Sequence, residues 1–141
     1  MTSYAHAGRQ ADFEVRYRFL TSEEGGRRTG PPFQHYRCDW SYEGDDPSKG
    51  IYSIYPEFLA EDGSLIPEGV PVPVSGIATM WILSHDMRVQ VHRARIREGI
   101  TGYFMEGARR VAEAVVTRVV GLHTNTDAQR NIRAEPGGSS Q

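Results

Sequence analysis

Cysteine is almost missing from this sequence. Cys38 is the only one among 141 residues, so no disulfide can form within the chain and a reducing compartment is the simpler setting. Long apolar runs are missing too. No stretch approaches the roughly 18 consecutive apolar residues that a membrane-spanning helix needs, and residues 1–10 hold no apolar block of the kind a secretory signal requires. A cytoplasmic location with no membrane partner is therefore expected. Nor is there a surplus of one charge: the net charge is −2. The field of the whole molecule thus favours neither nucleic acid nor an anionic membrane, and any basic site must be local. The glycine-rich stretch Gly25-Gly26-Arg27-Arg28-Thr29-Gly30 lacks both the lysine and the spacing of a nucleotide-phosphate loop, so no nucleotide is expected. His85, Asp86 and His92, with His35 elsewhere, match no established zinc spacing. The expectation is a non-enzymatic protein without metal or cofactor.

Alternation of apolar and polar residues is present in several places, and it marks half-buried strands. In the run Phe13–Leu20, residues Phe13, Val15, Tyr17 and Phe19 share one face, and Glu14, Arg16 and Arg18 share the other. In Tyr36–Tyr42, residues Tyr36, Cys38, Trp40 and Tyr42 oppose Arg37, Asp39 and Ser41. Cys38 is expected to be buried and inert there. Residues 43–50 are turn chemistry throughout. Ile51–Tyr55 is a β-branched and aromatic segment that Pro56 ends, consistent with an edge strand or a strand end. Between Glu61 and Pro73 the chain carries Pro67, Pro71 and Pro73 with Gly63 and Gly69, a stiff loop without a continuous ladder. Ile77–Leu83, apolar on both faces, is the candidate central strand.

Residues 84–99 are polar and basic and read as a charged surface loop. Gly102–Glu106, a turn at Gly107, and Arg110–Val120 read as a closing hairpin. The last segment also fits a helix, with Val111, Val115, Arg118, Val119 and Leu122 near one face. Its β-branched residues (five valines and Thr117) favour a strand, because branching at Cβ restricts helical rotamers and suits a pleated surface. The expected fold is all-β, a six-stranded antiparallel closed β-barrel over residues 12–122, since closure removes exposed edges. Residues 1–11 and 123–141 are expected to be a flexible N-terminus and a disordered tail.

Between the first two strands lies Glu23-Glu24-Gly25-Gly26-Arg27-Arg28-Thr29-Gly30-Pro31-Pro32, then Tyr36-Arg37. Further on come Gly76-Ile77-Ala78-Thr79-Met80-Trp81-Ile82-Leu83 and the Glu106-Gly107 turn, which leads into Ala114-Val115-Val116-Thr117-Arg118-Val119. These three anchors, in order over residues 13–122, resemble the third, C-terminal β-barrel domain of elongation factor Tu. The resemblance implies a stand-alone binding module of that type, with Arg27 and Arg28 at loop positions that reach tRNA phosphates and Glu106 with Gly107 at a second contact region. Two departures tilt the expectation toward a protein partner rather than tRNA. Asp39 stands where the family usually has glutamine, and a carboxylate beside phosphate is repulsive. The segment 84–98 is also longer than its counterpart. Alternatives within the resemblance are an RNA- or ribosome-associated accessory protein, or an immunity or decoy protein that mimics the factor.

From the residues themselves, two basic clusters are the candidate contact surfaces for phosphate or an acidic protein face. One is Arg27 and Arg28 with Arg37. The other is Arg88, Arg93, Arg95 and Arg97, with His92 among them. The aromatic residues Trp40, Trp81, Tyr36, Tyr55, Tyr103 and Phe104 fall mostly in strand patterns and are expected in the core rather than as a base-stacking platform.

Overall fold

The computed structural model describes residues 10–126. Six strands form one antiparallel sheet: β1 (Phe13–Phe19), β2 (Asp39–Tyr42), β3 (Ile54–Leu59), β4 (Ser75–Ile82), β5 (Thr101–Glu106) and β6 (Arg109–Val119), in the order β2-β5-β6-β1-β4-β3. The sheet is strongly curled. Its outermost strands approach each other, and Trp40 of β2 exchanges two backbone hydrogen bonds (2.8 and 2.9 Å) with Tyr52, just before β3.

The core lies inside the curl. Phe13, Val15, Tyr17 and Phe19 all point into it, as the alternation in β1 predicts. They meet Trp40, Phe58, Met80, Phe104, Val111 and Val116. The aromatic rings mostly meet edge to face, as at Tyr17–Phe58 and Phe13–Trp40, the arrangement their quadrupoles favour. Gly102 is shaped by this core: a Cβ there would lie 2.2 Å from Trp40 Cζ2. The valine-rich end is the strand β6, paired with both β1 and β5. Gly107, with φ +60°, makes the turn of its hairpin.

Four expectations change. Ile77–Leu83 is not central: β4 lies next to the outermost β3, and β1 and β6 hold the middle. Pro56 does not end a strand but sits inside β3, opposite Met80. The edge tolerates it, because the amide two residues on, at Phe58, points away from β4 to a side chain, and the missing N–H of Pro56 falls on that same outer side. Tyr36 to Cys38 lie outside β2, and Ser41, expected to face outward, is fully buried.

The fourth change concerns residues 84–99, which are no simple surface loop. Ser84 caps a helical segment in which His85–Met87 and Arg93–Arg95 are α-helical and Arg88–His92 form a π-helical turn. Arg88 and His92 point inward from it and are completely buried. Arg88 donates to Asp12 (Nε to Oδ1, 2.8 Å) and to the Ile82 carbonyl (2.9 Å). The Asp12 carboxylate in turn accepts from the Ile82 amide and from Asn125. Ordered contacts thus continue past Leu122. Asn125, expected in the tail, is buried and also bonds the Gln10 carbonyl. The remaining expectations for the termini, on residues 1–9 and 127–141, lie outside the described residues.

Candidate functional site

The loop after β1 is built as a rigid turn. Thr21 and Glu24 bond reciprocally, amide to side chain in both directions, a pairing that satisfies two amides at once. Arg18 forks the Glu24 carboxylate at 3.1 and 3.3 Å. The Arg18 hydrogen bond is the main reason that carboxyl is held well below the usual range. Glu24 is thus hydrogen-bonded to Arg18 rather than to Arg27 or Arg28.

The glycine pair is required by geometry. Gly25 has φ +95°, a conformation that side chains strain against. At Gly26 a Cβ would lie 2.3 Å from the Leu20 carbonyl oxygen.

Past the glycines the two arginines separate in role. Arg27 turns inward: Nε donates to the Gly30 carbonyl at 2.8 Å, and Nη1 pairs with Glu106 Oε2. The Tyr36 hydroxyl donates to the same Glu106 oxygen. The Arg27 guanidinium lies 5.2 Å from the Tyr36 ring centroid, within cation–π range. Burial works against the Glu106 carboxylate, yet the bonds from Tyr36 and Arg27 outweigh it and lower its pKa. Burial, helped by Glu106, pushes the Tyr36 phenol up, so it keeps its proton and remains a donor. Arg27 and Glu106, 79 residues apart, thus latch the loop to the β5–β6 hairpin. Arg28 turns outward. It is exposed and forms no hydrogen bond or ion pair among the described residues.

Arg28 borders two depressions. One is lined by Ser22, Gly25, Gly26 and Arg109. The other is a groove of about 230 Å³ among Phe19, Leu20, Pro31 and Val74, with Arg27 also at its rim. The far end of the loop is pinned by a residue the sequence pattern does not reveal. Gln34, buried, accepts from the Phe58 amide and donates to the Phe58 and Ile66 carbonyls, all at 2.8–2.9 Å. Its side-chain amide serves the open edge of β3 as a neighbouring strand would. His35 follows with φ +71° and bonds Glu68.

The other sequence candidates are scattered. Arg37 is exposed and lies 5.0 Å from the centroid of Tyr55. The basic run does not form one surface. Arg88 leaves the partner-facing set because it is buried against Asp12. Arg93 bonds the Leu122 and Asn125 carbonyls. Arg95 forks Asp45 at 2.7 and 3.0 Å and covers the Tyr42 ring at 4.0 Å. Of this run, Arg97 alone is both exposed and without a hydrogen bond or ion pair among the described residues. Arg88 therefore fastens the helical segment to β4, Arg93 to the turn after β6, and Arg95 to the turn after β2. Glu106 is occupied by Arg27, and Gly107 is exposed at the hairpin turn.

The two histidines in the helical segment each place one ring nitrogen in a hydrogen bond, while His92 Nε2 is buried without a partner among the described residues. His85 Nδ1 meets Arg88 at 2.7 Å, and His92 Nδ1 meets the Tyr42 hydroxyl at 2.6 Å. Among the described residues no three His, Cys, Asp or Glu side chains gather as metal ligands would. Cys38 is buried, and burial, with Asp39 and Glu106 nearby, pushes its thiol up. Among the described residues no helix is long and apolar enough to cross a membrane.

Compared with protein-family models and with curated proteins, the chain matches none.

Proposed function

We propose that this protein is a non-enzymatic binding module that engages a protein partner through the end of the sheet where the 20–36 loop meets the β5–β6 hairpin. The observation that carries this reading is the Arg27–Tyr36–Glu106 latch. It ties together two segments that the sequence singles out separately, and it leaves Arg28 exposed on a turn that is already ordered. Preorganised loops lose little freedom on binding, so such a turn suits recognition. The finer fold reading belongs to the same proposal: a closed barrel resembling the C-terminal domain of elongation factor Tu, with the Trp40–Tyr52 backbone pair joining the two ends of the sheet.

The test is a pull-down from native cell extract with the wild-type chain and with Arg28→Ala and Arg27→Ala variants. Arg28→Ala should lose the captured protein and leave the melting temperature unchanged. Arg27→Ala should weaken capture and also lower the melting temperature by roughly 3–5 °C, as expected for about 1 kcal/mol lost from a partly buried pair. A partner retained at full strength by Arg28→Ala refutes the proposal.

A second reading, RNA binding, is favoured by one observation: Arg28 and Arg109 flank the same glycine turn. Affinity for tRNA that falls with salt along a slope set by several phosphates would support it, and no binding at low salt would remove it.

A further inference from the structure

The groove beside Arg28 has a composition that the proposed function does not by itself explain. Its lining includes the apolar Phe19, Leu20, Pro31 and Val74, with Thr21 and Ser22 beside them. Val74 is 57% exposed. It is anchored through its backbone, where its carbonyl accepts from the Phe19 amide at 2.7 Å. The segment that ends at Val74 pairs through its backbone with residues 32 and 33 to form a short ribbon. Phe33 bridges Pro71, and the Val72 amide bonds the Pro32 carbonyl. On this ribbon Phe33 is 54% and Val70 44% exposed. Three of the six large apolar side chains that the described residues leave exposed (Phe33, Val70, Val74, Leu83, Val89 and Val115) therefore belong to this ribbon. Scattered single exposures need no explanation, but a cluster at one end of a sheet marks a contact surface.

Charge selects the occupant. Two acidic groups at this end are bonded to arginines other than Arg28, Glu24 to Arg18 and Glu106 to Arg27, and Glu23 is exposed on the same loop. Arg28, exposed and without a hydrogen bond or ion pair among the described residues, also lines the groove, and a guanidinium fork matches a carboxylate bidentately. Prolines 31, 32, 71 and 73 fix the backbone of the ribbon, so little ordering is needed on docking. A long nucleic acid would also meet the chain's net negative charge and gains nothing from the apolar part of the lining.

We infer that this groove receives a short acidic–apolar peptide segment of a partner protein. One branched or aromatic side chain sits between Leu20, Pro31 and Val74, and an adjacent Asp or Glu carboxylate is forked by Arg28. The inference rests on the reading of this end as a protein-binding surface, and names what that surface recognises.

A random heptapeptide library panned against the whole chain, followed by anisotropy titration of the most enriched synthetic peptide, tests it. Enriched peptides should join a bulky apolar residue to an Asp or Glu within two positions. Binding should weaken at least tenfold with Arg28→Glu and with Val74→Asp. A Lys replacing the peptide's acidic residue should restore binding to Arg28→Glu but not to the wild type. Both positions are exposed, and circular dichroism confirms that each variant is folded. No enrichment, enrichment of basic peptides, or binding indifferent to both substitutions overturns the inference. A native partner lost with Arg28→Ala but kept by Val74→Asp would overturn it while leaving the broader proposal standing.

Discussion

Arg88→Met should be among the most damaging single substitutions in this chain, although a basic run in the sequence places Arg88 among surface residues. In the fold its guanidinium bonds Asp12, the Ile82 carbonyl and His85, and neither Arg88 nor Asp12 is exposed at all. Methionine fills much of the same volume but leaves the Asp12 carboxylate buried without its counter-charge. Breaking a buried pair from one side costs about 3–5 kcal/mol, against a total stability of roughly 5–15 kcal/mol for an ordinary domain. With a urea slope of roughly 1.5 kcal/mol/M, the unfolding midpoint should fall by about 2–3 M. The companion is Asp12→Asn added to Arg88→Met. Asparagine keeps an acceptor for the Ile82 amide, which Asp12 serves at 2.8 Å, and removes the stranded charge. The double variant should therefore be more stable than Arg88→Met alone by at least about 1 kcal/mol, a coupling that independent sites do not show. The reasoning fails if Arg88→Met costs less than about 1 kcal/mol in urea denaturation, or if adding Asp12→Asn lowers stability further.

Two other outcomes follow from the same structure. Gly26→Ala should lower stability by about 1–3 kcal/mol in thermal or urea melts, because the Leu20 carbonyl that its Cβ would strike is backbone and cannot rotate away; a neutral result would show that the turn is pliable. His92 is buried, and chiefly for that reason its pKa is pushed down from 6.5 to about 4. The unfolded chain then takes up a proton at a higher pH than the folded one, so the His92 contribution to stability should be fully present above about pH 6.5, be lost as pH drops toward 4, and change no further below. The loss approaches about 3 kcal/mol at one pKa unit per 1.4 kcal/mol. Urea midpoints at pH 7 and 4.5 measure it, and a His92→Gln chain with the same pH slope would refute the assignment.

What could be read in advance depended on how local its cause was. The inward set of β1, the hairpin at Gly107 and the strand character of the valine-rich end follow from period-two patterning, one glycine and β-branching, all properties of neighbouring residues. The 23–36 loop was legible as a turn for the same reason, since the glycine pair and prolines restrict their own backbones. The roles of the arginines were not legible, because Arg27 and Arg28 are identical in sequence terms. Only the position of Glu106, 79 residues away, draws one inward and leaves the other free. Gln34 carried no signal either, since its three hydrogen bonds go to backbone of β3 and the following loop.

By itself, then, the sequence determined the strand periodicity, the turns and the absence of a disulfide or a membrane-length apolar helix. Each of these is set by a side chain's own shape, charge or hydropathy. The tertiary structure alone decided which charges are spent inside the molecule and which face outward. Burial of Arg88 against Asp12, and of Arg27 against Glu106, depends on partners that chain folding must first bring together.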